Sequence, residues 1–136
     1  MEIKAIARFV RMSPRKVRLV INLIRGMRVA QAQTQLKFMN KAATTPVLKL
    51  LNSAIANAEH NFELDGSNLY IKSITADGGP VLKRWTPKAF GKATPIRKPT
   101  VHISIVLEEK GAEPVKPSTK EVKTDKKVSL KKAQVK

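Results

Sequence analysis

The chain has 136 residues, enough for one modest domain, and carries 27 Lys and Arg against 10 Asp and Glu, a formal net charge of +17. Such an excess of positive charge predicts a polyanionic partner and argues against an ordinary soluble enzyme. Cysteine is absent, which excludes disulfides and thiolate metal sites, and the cations Lys4, Arg8 and Arg11 interrupt any apolar leader, so neither export nor a membrane partner is expected.

Acidic residues are missing from two long stretches, residues 3–58 and 78–107, while Lys and Arg recur throughout both. A surface that faces phosphates is expected to lack carboxylates, because they would repel the phosphates. A basic face that only meets solvent normally has Glu and Asp interspersed. Both stretches therefore predict contact with nucleic acid.

A strand is predicted over residues 2–11, where apolar residues recur at every second position. Its buried side would be Ile3, Ala5, Ala7 and Phe9. A helix is predicted over residues 14–25, because Ser13 and Pro14 supply an N-cap and a first-turn proline, and Gly26 stands where the helix would stop. The apolar stripe of this helix is Val17, Val20, Ile21 and Ile24. Its cationic face includes Arg15, Arg18 and Arg25.

Two further helices are predicted before the chain returns to strands. Residues 29–38 are good helix formers with a short apolar set, and they predict a small second helix. The third helix ends near Asn61. It starts either at Asn40, with Pro46 inside a kinked first segment, or after Thr45 as the cap, with Pro46 as the first helical residue. The earlier start is preferred. The buried residues of this helix would be Val47, Leu51, Ala54, Ile55 and Ala58.

A turn at 65–68 precedes a second strand, 69–76, and a third strand is predicted over 101–107. The apolar residues of 69–76 do not alternate cleanly, which a bulge or burial on both faces would explain. Alternation is clear in the third strand, at Val101, Ile103, Ile105 and Leu107. Together with the first strand, this pattern predicts an α+β fold with three helices packed on a small three-stranded antiparallel sheet.

Residues 78–100 lie between the last two strands and show no helical periodicity. Their prolines are Pro80, Pro87, Pro95 and Pro99. A structureless loop of this length is unusual in a compact domain, so the segment predicts a long protruding β-hairpin that reaches about 30 Å. Such a ribbon is marginal alone in water and needs a partner to hold it. Trp85 and Phe90 stand among its cations, and would either stack on unpaired bases or staple the two arms together.

Residues 110–136 are rich in lysine and contain no aromatic residue, so they predict a flexible basic tail outside a globular domain of residues 1–109. No enzyme activity is predicted. His60 and His102 have no metal or nucleophile partner evident in the sequence, and no metal or cofactor site is expected. The predicted RNA-binding residues are Arg8, Arg11, Ser13, Arg15, Lys16, Arg18, Arg25, Lys83, Arg84, Trp85, Lys88, Phe90, Lys92, Arg97 and Lys98.

A DNA-bending protein of the nucleoid type is the competing interpretation, because that class also combines a compact helical body with proline-bearing basic arms. Proteins of that class dimerise through their helices. In this chain the strands that flank the ribbon instead predict the sheet of a single monomer.

A resemblance to a known family favours RNA over DNA as the partner, and three collinear segments carry it. They are MSPRKVRLVINLIRG at 12–26, NSAIANAEHN at 52–61 and DGGPVLKRWTPKAFGKATPIRKPTVHISIVL at 77–107. Over residues 3–109 the chain resembles the bacterial-type large-subunit ribosomal protein family named L-twenty-two. Trp85 and Phe90 depart from the family pattern, which has an aliphatic residue and a cation at these positions.

The resemblance implies a monomer within the ribosome, in the cytoplasm or in an organelle of bacterial descent. The implied partners are large-subunit ribosomal RNA, neighbouring ribosomal proteins and the nascent peptide. It also implies that the hairpin lines the nascent-peptide exit tunnel, with Lys83 and Arg84 near the constriction, close to where macrolide antibiotics bind.

Overall fold

The computed structural model describes residues 1–109, and the predicted tail at 110–136 lies outside the described residues. The helices are α1 (Pro14–Ile24), α2 (Val29–Phe38) and α3 (Thr44–Phe62). The strands are β1 (Glu2–Val10), β2 (Leu69–Gly78), β3 (Leu82–Pro87), β4 (Ala93–Lys98) and β5 (Val101–Glu109). Strands β1, β5 and β2 form an antiparallel sheet in that order, and β3 and β4 form a separate two-stranded sheet. The predicted α+β fold with its hairpin is confirmed.

The core lies between one face of the three-stranded sheet and the helices. Strand β5 alternates between buried and half-buried residues, as its sequence predicted, and it occupies the centre of the sheet. Helix α1 packs on β2, α3 packs on β1, and α2 packs on α3. The predicted stripe of α1 is fully buried, at Val17, Val20, Ile21 and Ile24. In α3, Leu50 is buried although it was not predicted to be. Ile55, which was predicted to be buried, is only half-buried.

The predicted buried side of β1 is wrong at its end, because Phe9 is 59% exposed. Pairing with β5 is interrupted between Ala7 and Val10, and Phe9 has a φ of 56°, in the left-handed region. This irregularity turns the ring out of the core. The Phe9 N–H then donates to Nδ1 of His102 at 3.1 Å, and the two rings meet edge to face at 4.8 Å. In β2 the register shifts between Ile71 and Ser73, which confirms the bulge that was one of the two alternatives there.

The helix ends differ from the sequence prediction by small amounts. Helix α1 starts at Pro14 and stops at Ile24, one residue early, and Gly26 follows with a φ of 75°. Ser13 occupies the N-cap position, but its side chain makes no capping hydrogen bond. Helix α3 starts at Thr44, so the preferred start at Asn40 is wrong. Pro46 then lies in the first turn, where a missing N–H removes no intrahelical hydrogen bond.

A polar cluster joins the three strands of the main sheet at one end. Nζ of Lys72 lies 2.6 Å from Oε1 of Glu2 and 3.2 Å from Oε2 of Glu108. The Tyr70 hydroxyl donates to Oε2 of Glu108 at 2.6 Å. The hydrogen bond from Lys72 lowers the pKa of Glu2, and the hydrogen bonds from Tyr70 and then Lys72 lower the pKa of Glu108.

We therefore expect the melting temperature to fall in acid partly because of this cluster. Since both carboxyl pKa values are lowered on folding, their stabilising contribution is present above the ordinary value of 4.5 and is lost as the pH falls through the folded values. Replacing Glu2 and Glu108 with Gln should flatten the acid side of the profile of melting temperature against pH. The Glu109→Gln variant is the control, because Glu109 forms no ion pair within the described residues. An equal flattening in that control would contradict the assignment.

Candidate nucleic-acid interface

The predicted RNA-binding cations all lie at the surface, in two regions of the fold. One region is the end of β1 with helix α1, and the other is the hairpin formed by β3 and β4. The exposed cations of the first region are Arg8, Arg11, Arg15, Lys16, Arg18 and Arg25. Those of the hairpin are Lys83, Arg84, Lys88, Lys92, Arg97 and Lys98. Both regions therefore present positive charge to solvent, as contact with phosphates requires.

Arg18 of α1 and Arg25, which directly follows the helix, have an additional role that the sequence did not reveal. Nε and Nη2 of Arg18 donate to the carbonyl oxygen of Ala76 at 3.1 and 2.9 Å, and Nη2 of Arg25 donates to the carbonyl oxygen of Ile74 at 3.1 Å. Both acceptors belong to β2, an edge strand of the sheet. Arg18 and Arg25 thus complete the hydrogen bonding of an exposed strand edge. Any phosphate would meet their remaining N–H groups.

At Ile71 that edge is covered by the backbone after α1. The Gly26 N–H donates to the carbonyl oxygen of Ile71 at 3.1 Å, and the Ile71 N–H donates to the carbonyl oxygen of Met27 at 2.9 Å. These bonds hold α1 at a fixed position on the sheet. The exposed cations on the first turn of α1 are thereby carried on a rigid support.

The three helices and the three-stranded sheet form the body of the protein. The body and the hairpin meet at an open cleft of about 350 Å³. Its lining residues come from two distant parts of the chain and are Arg11, Met12, Ser13, Lys16, Arg97, Lys98 and Pro99. The structure thus brings five of the predicted RNA-binding residues together. Met12 and Pro99 were not predicted as part of the site, and nothing in the sequence relates them, since their proximity depends on the tertiary fold.

The hairpin has two faces, because neighbouring residues on a strand point to opposite sides. Lys83 pairs with Arg97, and Trp85 pairs with Pro95, so these four residues share one face. Arg84 pairs with Ile96 on the other face. The adjacent cations Lys83 and Arg84 therefore point to opposite faces of the hairpin.

The tip of the hairpin is a tight turn between Lys88 and Lys92, where the Lys88 N–H donates to the carbonyl oxygen of Lys92 at 2.8 Å. Phe90 adopts a φ of 58° there and is 98% exposed, so it does not staple the arms. Trp85 is 65% exposed on its strand. Both rings are accessible for stacking on a base.

Neither a metal centre nor a membrane-spanning helix is found in the described part of the chain. Residues 1–109 contain no group of three or more His, Asp or Glu side chains that could hold a metal ion. No helix among them is long and apolar enough to cross a membrane.

A family described as ribosomal protein L22p/L17e matches residues 5–108, which is most of the chain and all of the surface described above. The chain belongs to the L22p/L17e family. This membership confirms the resemblance seen in the sequence. It also confirms the predictions of a ribosomal protein that works in the cytoplasm and is not an enzyme.

Members of the L22p/L17e family named large ribosomal subunit protein uL22 are similar to the chain over nearly their whole length. The protein of Chloroflexus aggregans is 54% identical over 110 residues, covering 81% of this chain and 97% of the relative. The protein of Desulfitobacterium hafniense is 57% identical over 107 residues, covering 79% and 94%. The protein of Clostridium novyi is 53% identical over 110 residues, covering 81% and 99%.

Proposed function

We propose that the protein is a structural constituent of the large ribosomal subunit, that its body binds the ribosomal RNA, and that its hairpin lines the nascent-peptide exit tunnel. The observation that carries this proposal is the hairpin. It is a two-stranded ribbon separate from the core sheet, and all its cations are exposed. A ribbon of this kind is marginal without a partner, and a polyanionic partner suits its charge.

The partners follow from the same surface. The cations at the start of α1 would contact RNA phosphates, and one face of the hairpin would contact RNA while the other meets the nascent peptide. Neighbouring ribosomal proteins would pack beside it. The apolar stripes of α1 and α3 are buried on the chain's own sheet, which supports a monomer and not the helix-mediated dimer of DNA-bending proteins. The tail at 110–136 would add phosphate contacts without sequence preference.

Cosedimentation of the tagged protein with large ribosomal subunits at low and high salt tests the RNA-binding part of the proposal. We expect recovery with the subunits that weakens steeply as salt rises, because phosphate contacts release counterions. Nucleoid DNA at the same phosphate concentration is the control. Equal or stronger recovery with that DNA would contradict the proposal and favour the DNA-bending interpretation.

A further inference from the structure

The cleft between body and hairpin contains four cations contributed by two walls. Arg11 and Lys16 belong to the body, and Arg97 and Lys98 are the last two residues of β4. Ser13 adds a hydroxyl whose hydrogen-bonding capacity is not used in capping α1. No acidic residue lines the cleft. Its chemistry is therefore that of a site for an anion with several acceptor oxygens.

These four cations have no carboxylate partner in residues 1–109, where the ion pairs are formed by Lys4 and Lys72 with Glu2 and Glu108. Across the hairpin ladder, Arg97 also stands directly opposite Lys83. Like charges placed directly opposite one another on a ladder are destabilising. An anion in the cleft would offset the positive charge on Arg97 and on the cations of the opposite wall, Arg11 and Lys16.

The hairpin is attached to the body by short connections that do not continue the main sheet. Near its base, the Gly79 N–H donates to the carbonyl oxygen of Thr100 at 3.0 Å, and Oγ1 of Thr100 donates to the carbonyl oxygen of Pro80 at 2.7 Å. No ladder of hydrogen bonds joins β3 or β4 to β2 or β5, since the two sheets are separate. The direction of the hairpin relative to the body is thus not fixed by a continuous hydrogen-bonded ladder.

We propose that the cleft binds a phosphodiester group of the RNA backbone, and that this group fixes the direction of the hairpin by bridging Arg11 and Lys16 to Arg97 and Lys98. The inference rests on the proposed function, which supplies the RNA. Phosphate contacts position a protein without reading sequence. A phosphate in the cleft would also position the hairpin relative to the body of the same protein.

The orientation of the hairpin can be measured by the distance between two spin labels, because the chain contains no native cysteine. The substitutions Ala56→Cys on α3 and Ala89→Cys at the hairpin tip, both at exposed positions, would carry the labels. The full-length protein would be measured alone and with a saturating large-subunit ribosomal RNA transcript. The cleft variant is Arg97→Gln with Lys98→Gln. The control, Lys88→Gln with Lys92→Gln, makes the same change of charge at the tip.

We expect the RNA to narrow the distance distribution in the wild type and in the control, and to leave it broad in the cleft variant. Both variants should bind RNA more weakly, with a slope of log affinity against log salt that is flatter by about one for each phosphate that the variant no longer binds. Narrowing in the cleft variant, or a broad distribution in both variants, would overturn the proposal. So would an unchanged distribution in a wild-type protein that binds the RNA.

A second measurement keeps this test separate from the RNA-binding proposal. Dimethyl phosphate, which has the chemistry of the RNA linkage, would be titrated into the unlabelled protein at constant ionic strength, with inorganic phosphate in a parallel titration. We expect dimethyl phosphate to shift the amide resonances of Ser13, Lys16, Arg97 and Lys98 saturably, and to do so less at Lys88 and Lys92. Equal shifts at the tip, or a response to inorganic phosphate alone, would overturn the assignment. A protein that passes this test but fails to bind the RNA would contradict the proposed function instead.

Discussion

Replacing Arg11, Arg15 and Lys16 with Glu is expected to weaken binding of the protein to large-subunit ribosomal RNA strongly while leaving it folded. The three side chains are exposed and make no side-chain hydrogen bond or ion pair within residues 1–109, so the native structure does not depend on them. Each phosphate that is no longer bound should flatten the slope of log affinity against log salt by about one. The expected change for the triple variant is therefore about three. Filter binding at several salt concentrations would measure the slope, and circular dichroism the melting temperature.

A comparison variant, Arg18→Glu with Arg25→Glu, should in addition lose stability. These substitutions remove donors to the carbonyl oxygens of Ala76 and Ile74 and place carboxylates beside those oxygens. Each such hydrogen bond contributes about 1 kcal/mol, so the melting temperature should fall measurably. If this variant melts at the wild-type temperature, or if the first variant retains full affinity with an unchanged salt slope, the division of roles between these two groups of cations is wrong.

The sequence predicted those parts of the fold that depend on local periodicity. The buried stripe from Val17 to Ile24 and the alternation from Val101 to Leu107 each repeat with the period of one element, and Pro14 and Gly26 mark the ends of a helix through their own backbone preferences. Predicting these features required no knowledge of which other element packs against the helix or strand.

Features that depend on distant parts of the chain could not be predicted. Phe9 obeys the alternation of β1 in the sequence, and only the interrupted pairing with β5 turns it outward. Arg18 and Arg25 share the helical spacing of a cationic face, and only the edge position of β2 provides carbonyl acceptors for them. The cleft likewise exists because the fold brings Arg97 to the start of α1.

Deletion of Leu82, Lys83 and Arg84 should leave assembly of the large subunit intact and change the behaviour of the exit tunnel. None of the three residues belongs to the buried core, and the pairing of β1, β5 and β2 does not involve them. Because an odd number of residues is removed from one arm, Trp85 would take the register position of Leu82 and move to the opposite face of the hairpin. If the hairpin lines the tunnel, ribosomes carrying this deletion should differ in macrolide sensitivity or in stalling on arrest peptides.

A symmetric deletion separates the loss of Lys83 and Arg84 from the movement of Trp85 to the opposite face of the hairpin. Removing Lys83 and Arg84 together with their partners Ile96 and Arg97 shortens both arms by the same amount, about 7 Å at some 3.3 Å per residue, and keeps Trp85 on its original face. We expect both deletions to alter the tunnel response, because both draw the tip back toward the body. A response confined to the first deletion would assign the effect to the position of Trp85.

Subunits that fail to incorporate either protein, while antibiotic response and arrest stay normal in those that do, would identify the hairpin as an assembly anchor. Lining of the tunnel by the hairpin would then be ruled out as its function.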